Sequence, residues 1–135
     1  MNLTDVVPNL LVTDIDRSTA FYRDVLGFTI VTTVPDKAPF VFVWLKRDRV
    51  SVFLNVPAGA KADMPDLAAR PIGGTATLFV TVEAVTAAEG VDRLMETIGP
   101  KAKVVMPLKD QFYGMREFAV EDPDGYVIIF AQRTA

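Results

Sequence analysis

The sequence predicts an α+β fold in which two tandem β-α-β-β-β modules form a curved mixed sheet with a concave trough. One observation is a hairpin pattern closing each half. Phe40 to Leu45 and Val50 to Asn55 flank Lys46-Arg47-Asp48-Arg49, and two β-rich runs between Gly114 and Phe130 flank Asp122-Pro123-Asp124-Gly125. The other is that the joints upstream align: Val12 with Val82, a capping Asp16 with Thr86, and Gly27 with Gly99. Self-similarity of this length marks a repeated structural unit. At 135 residues the chain reads as one domain, residues 1–135, with a first module over 1–56, a linker over 57–74 and a second module over 75–135.

Taken in order, Val6 to Val12 is apolar and β-branched apart from Pro8 and Asn9. Proline cannot donate to a ladder, so this is an edge or incompletely paired strand. Asp16 then caps a helix to about Leu26, with Phe21, Tyr22, Val25 and Leu26 as its inner face and Gly27 as its stop. Phe28 to Val34 is a second strand, and the first hairpin follows. The Pro- and Gly-rich stretch Val56 to Gly74 has linker composition, with one helical turn at Asp66 to Arg70. Thr75 to Val82 is a strand. Thr86 and Glu89 stand at capping-box spacing before Ala88, Val91, Leu94 or Met95, and Ile98, which recur at helical period until Gly99-Pro100. Lys103 to Leu108 precedes the second hairpin, where Asp, Pro and Gly hold the first, second and fourth places of a type I turn. Each sheet covers one face with its helix and leaves the other open, a place for a small ligand.

Composition narrows the function classes. There is no cysteine, so neither a disulfide framework nor thiolate chemistry is available, and a reducing cytoplasm is the expected location. The amino terminus lacks a basic region followed by an apolar run, and no segment has the length of a membrane span; a soluble, unexported protein is expected. A net charge of −3 and a pI near 4.9 argue against nucleic acid, and Lys46, Arg47 and Arg49 read as a solvated turn. With no histidine and no cysteine, a Ser-His or Cys-His pair is impossible, and no glycine-rich phosphate loop occurs.

Three stretches carry a family resemblance: Asn9 to Ser18, Phe21-Tyr22-Arg23-Asp24-Val25-Leu26-Gly27-Phe28, and Tyr113-Gly114-Met115-Arg116-Glu117-Phe118 with Asp122-Pro123-Asp124-Gly125. Together they resemble the vicinal oxygen chelate superfamily, which includes glyoxalase I, extradiol dioxygenases, fosfomycin-resistance enzymes and bleomycin-resistance proteins. The resemblance implies the glyoxalase/bleomycin-resistance-like fold over essentially the whole chain. It also implies a divalent metal site, whose ligand positions fall on Val7, Thr77, Ile129 and near Phe53, with Asn55 one alternation away. Val7, Thr77 and Ile129 are not ligands of the usual kind, so no metal and no cofactor is expected. Pro8 and the Tyr113 to Phe118 segment are similar to the branch that binds without chemistry. For that branch the resemblance implies an acidic homodimer sequestering a flat, cationic antibiotic.

The candidate ligand-binding residues are Phe40, Phe42, Trp44, Phe112, Tyr113, Arg116 and Glu117. Phe40, Phe42 and Trp44 alternate on one strand face, either lining the trough or packing under the helix; Val41, Val43 and Leu45 take the other role. Phe112 and Tyr113 sit on a loop, as binding rings or as lid packing. Arg116 and Glu117 point to opposite faces, so one faces the trough unless both form an exposed cross-strand pair. Asp14 and Asp16 read as caps, Asp122 and Asp124 as turn formers, and Met106 and Met115 as trough wall or core filler. No catalytic residue is assigned. The expected function is metal-free binding of a planar or cationic small molecule such as an antibiotic, by a homodimer with no nucleic-acid or membrane partner. The alternative is a metal-independent lyase or isomerase using Glu117 or another carboxylate as base.

Overall fold

Strands β1 (Asn9–Leu11), β2 (Thr29–Val34), β3 (Phe42–Arg47) and β4 (Val50–Asn55) pair in the order β1-β4-β3-β2. The computed structural model describes residues 1–134 and separates into two units, Met1–Ile72 and a second beginning at Gly73. In the first unit β1 lies parallel to β4 at the sheet edge, where the missing Pro8 amide costs no ladder bond and the Pro8 carbonyl accepts from Phe53 N at 2.9 Å. Val43 pairs with Leu54 and Leu45 with Val52, and all four are buried. Helix α1 (Ile15–Ala20) packs on this face of β3 and β4.

The cap of α1 is Asp14 rather than the expected Asp16: Asp14 Oδ1 accepts from Arg17 N at 3.1 Å, and Asp16 lies in the first turn. The helix runs on as a π turn over Phe21–Val25 and buries Tyr22 and Leu26, while Phe21 and Val25 stay half-exposed. Gly27 then takes φ +76°, and Arg47 Nη1 donates to the Leu26 carbonyl at 2.7 Å. Arg47 therefore caps a helix end, which corrects its reading as a solvated turn residue. Residues Lys46 and Arg47 pair with Ser51 and Val50, so the hairpin tip is the two-residue turn Asp48-Arg49, with Asp48 at φ +51°. The linker holds two short helices, α2 (Pro57–Ala60) and α3 (Pro65–Ala68), each opened by proline at its first position. The single turn expected at 66–70 starts one residue earlier.

The second unit repeats the scheme with β5 (Thr77–Thr81), β6 (Lys103–Asp110), β7 (Met115–Glu121) and β8 (Val127–Arg133) in the order β5-β8-β7-β6. Helix α4 (Val91–Ile98) packs on β7 and β8 and is followed by a 3₁₀ turn over Gly99–Lys101. The Thr86–Glu89 box forms, with Glu89 N donating to Thr86 Oγ1 at 3.2 Å, yet the helix begins only at Val91. Its first amide donates to Gln132 Oε1 at 2.8 Å, and Gln132 Nε2 donates to the carbonyls of Ala84 and Thr86, both at 3.2 Å. A buried side chain on the last strand thus sets where α4 starts. The closing turn is as expected: Gly125 N donates to the Asp122 carbonyl at 3.1 Å, and Asp122 Oδ1 accepts from Asp124 N and Tyr126 N, each at 2.9 Å.

Candidate functional site

In the first sheet, the face turned away from α1 is aromatic. Because Val43 and Leu45 are fully buried toward the helix, alternation sends Phe42 and Trp44 the other way, where their ladder partners are Asn55 and Phe53. The Phe42 and Phe53 rings lie 5.2 Å apart, and Trp44 meets Phe53 edge-on at 5.9 Å. Trp44 Nε1 donates to Ser51 Oγ at 3.1 Å, which fixes the indole plane. All three rings are half-exposed. Asn55 Nδ2 donates to Asn9 Oδ1 on the same face. Phe53 joins the binding candidates through the Ser51, Phe53, Asn55 alternation, which places it on this face once the register with β3 is known. Phe40 precedes β3 and lies outside its ladder, half-buried. Val41, expected in the core with Val43 and Leu45, is instead 44% exposed, although its backbone bonds to Val34 and Val56.

In the second sheet the helix side is marked by Gln132 reaching the start of α4 and by Phe130 stacked on Phe118 at 5.3 Å. Arg116 belongs to this side: its Nε lies 2.6 Å from Asp92 Oδ1 on α4, and its Nη1 3.2 Å from Asp110 Oδ1. These hydrogen bonds, Asp92 first, hold the guanidinium above its ordinary pKa. Glu117 faces the opposite way, paired in register with Ala131 and Lys109. It is only 3% exposed, accepts a short hydrogen bond from the Tyr113 hydroxyl on Oε1, and has no partner for Oε2. That bond raises the Tyr113 pKa above its usual value, with desolvation a second cause. Tyr113 is 49% exposed on the turn between β6 and β7, and Phe112 beside it is 98% exposed with its ring edge-on at 5.2 Å. Gly114, at φ +83°, closes that turn by donating to the Gln111 carbonyl at 3.2 Å.

The four positions where a family metal would sit do not fit a divalent cation. Phe53 belongs to the ring cluster, Ile129 lies on β8 in register with Ala119 and Phe79, Thr77 is an exposed hydroxyl on β5, and Val7 precedes β1. Among the described residues, no group of three or more histidine, cysteine, aspartate or glutamate side chains is arranged to hold a metal.

Two β-α-β-β-β units, each with a helix on one sheet face, are the architecture expected from the resemblance, and residues 5–130 match the profile of the Glyoxalase/Bleomycin resistance protein/Dioxygenase superfamily. The chain belongs to that superfamily. Within it, the chain is 33% identical to a bleomycin resistance protein of Geobacillus stearothermophilus, across 94% of this chain and 95% of that protein. A bleomycin resistance protein of Staphylococcus aureus strain N315 matches with the same figures. Among solved structures of the superfamily fold, a glyoxalase-related enzyme from Fulvimarina pelagi superposes with a TM-score of 0.76 at 22% identity, covering 97% of this chain and 89% of its own. The likeness at that identity concerns fold alone.

Proposed function

We propose that this superfamily member binds a planar, cationic small molecule, bleomycin or a similar antibiotic, and sequesters it without chemical conversion and without a metal. The observation that carries the reading is the half-exposed Phe42, Phe53 and Trp44 cluster on the face of the first sheet turned away from α1, a surface suited to stacking a flat ligand or carrying a cation. The bleomycin resistance relatives and the acidic charge point the same way. We read the chain as a single domain, acting in the cytoplasm as a homodimer. No described helix is long and apolar enough to cross a membrane.

Trp44 is the only tryptophan, so its fluorescence reports the proposed site directly. Titration with bleomycin should change Trp44 emission saturably, and the antibiotic recovered afterwards should have its original mass and proton spectrum. No change in emission and no heat of binding would sink the reading. The second reading, a metal-independent lyase or isomerase, is favoured by one feature, the unpartnered Oε2 of Glu117. An altered ligand in the recovered sample would select it.

A further inference from the structure

The most costly unpaired group described in the molecule is Glu117 Oε2. A carboxylate buried to this degree loses its hydration, and the loss is offset only when its oxygens regain donors. Here Oε1 has the Tyr113 hydroxyl and Oε2 has nothing. The chain holds nearby cations yet does not use them. Lys109 stands directly across the ladder on β6, and among the described residues no ion pair joins it to Glu117. Arg116, the neighbour in sequence, is turned to the other face and held by Asp92 and Asp110. The residues in register beside Glu117 on its own face are Ala131 and, one pair along, Ala119 with Met106 and Ile129. Apolar walls strengthen any charge interaction made against them.

We infer that Glu117 is the anchor for a cationic nitrogen donor of the ligand, an ammonium, guanidinium or amidinium group, which completes the hydrogen bonding of Oε2 beside the Tyr113 ring. The geometry asks for a donor, since both carboxylate oxygens only accept, and the missing charge makes a cation a better fit than a neutral amide. The Tyr113 hydroxyl holds the carboxylate in one orientation, so less freedom is lost when the ligand arrives. The inference rests on the reading of this protein as a small-molecule binder and deepens it by naming the ligand group that one residue selects.

The test measures binding of three probes to the full chain and to Glu117→Gln: bleomycin, naphthalene-2-carboxamidine and its neutral isostere naphthalene-2-carboxamide. Thermal melts of both proteins run alongside. Glu117→Gln retains an acceptor for Tyr113 and removes the charge. Wild type should prefer the amidine to the carboxamide by at least tenfold, and the preference should vanish in the variant, whose Tm stays level or rises. Equal binding of the two isosteres by wild type, or a preference that survives Glu117→Gln, overturns the anchor. Bleomycin binding by wild type tests sequestration separately: its absence would end that reading while the amidine pair still decides the anchor. Should Glu117→Gln fail to fold, Glu117→Met takes its place; failure of both makes the carboxylate a structural group and overturns the inference.

Discussion

At the scale of single residues, the two faces of β3 separate stability from binding. Val43 lies fully buried against the helix side, and Trp44, one position on, is half-exposed on the other. Val43→Ala should lower unfolding free energy by about 2–3 kcal/mol through lost burial and an unfilled space, with little change in bleomycin affinity. Trp44→Ala should leave most of the stability and weaken the ligand by about 1–3 kcal/mol, the cost of losing a central aromatic anchor. Denaturant melts and calorimetric titrations on the two variants check this. If the costs are exchanged, the binding face of the first sheet has been misassigned. The two faces of β7 differ in the same way: Arg116 is held on the helix side by Asp92 and Asp110, and Glu117 lies on the other face with the Tyr113 hydroxyl.

At the scale of elements, the start of α4 depends on a side chain forty-one residues away from the amide it caps. Gln132 satisfies one amide and two carbonyls, and it does so only because Gly90 leaves room: a Cβ at Gly90 would lie 2.0 Å from Gln132 Oε1 and 2.8 Å from the Ala84 Cβ. Gln132→Ala should cost roughly 1–3 kcal/mol, because the buried Val91 amide is left without its acceptor, while the part-buried bonds to the Ala84 and Thr86 carbonyls add less. Gly90→Ala should also destabilise, and by less in the Gln132→Ala background, where the closest obstruction has gone. A double-mutant cycle in urea measures that coupling; strictly additive costs would mean the two residues do not share one packing constraint. The first module solves its corresponding problem differently, with Asp14 at the helix start and Arg47 on the Leu26 carbonyl at its end.

For the whole molecule, the outcome to test is assembly. Strand β2 is an edge strand that leaves Ile30, Val31 and Val34 exposed, and Phe79 on the edge strand β5 is 53% exposed. Exposed apolar edges invite a partner, and a second copy related by a two-fold axis closes the assembly. Light scattering at micromolar concentration should give twice the 14.8 kDa chain mass. A mass of one chain across that range would remove the homodimer.

The sequence alone determined the repeated β-α-β-β-β order, the hairpin at Asp122 to Gly125 and the stop at Gly27. These are local matters: a turn or helix stop is written in a few adjacent residues whose backbone preferences act before any packing. The tertiary structure decided which face of each strand is open. Phe42 and Trp44 could equally have been core by composition, and only the burial of Val43 and Leu45 against α1 sends them outward. The same holds for Gln132, a polar residue on the last strand with no sequence mark of a helix cap, and for Glu117. Its significance lies in an unmade hydrogen bond, and a missing partner is a property of everything packed around a group, which no stretch of sequence contains.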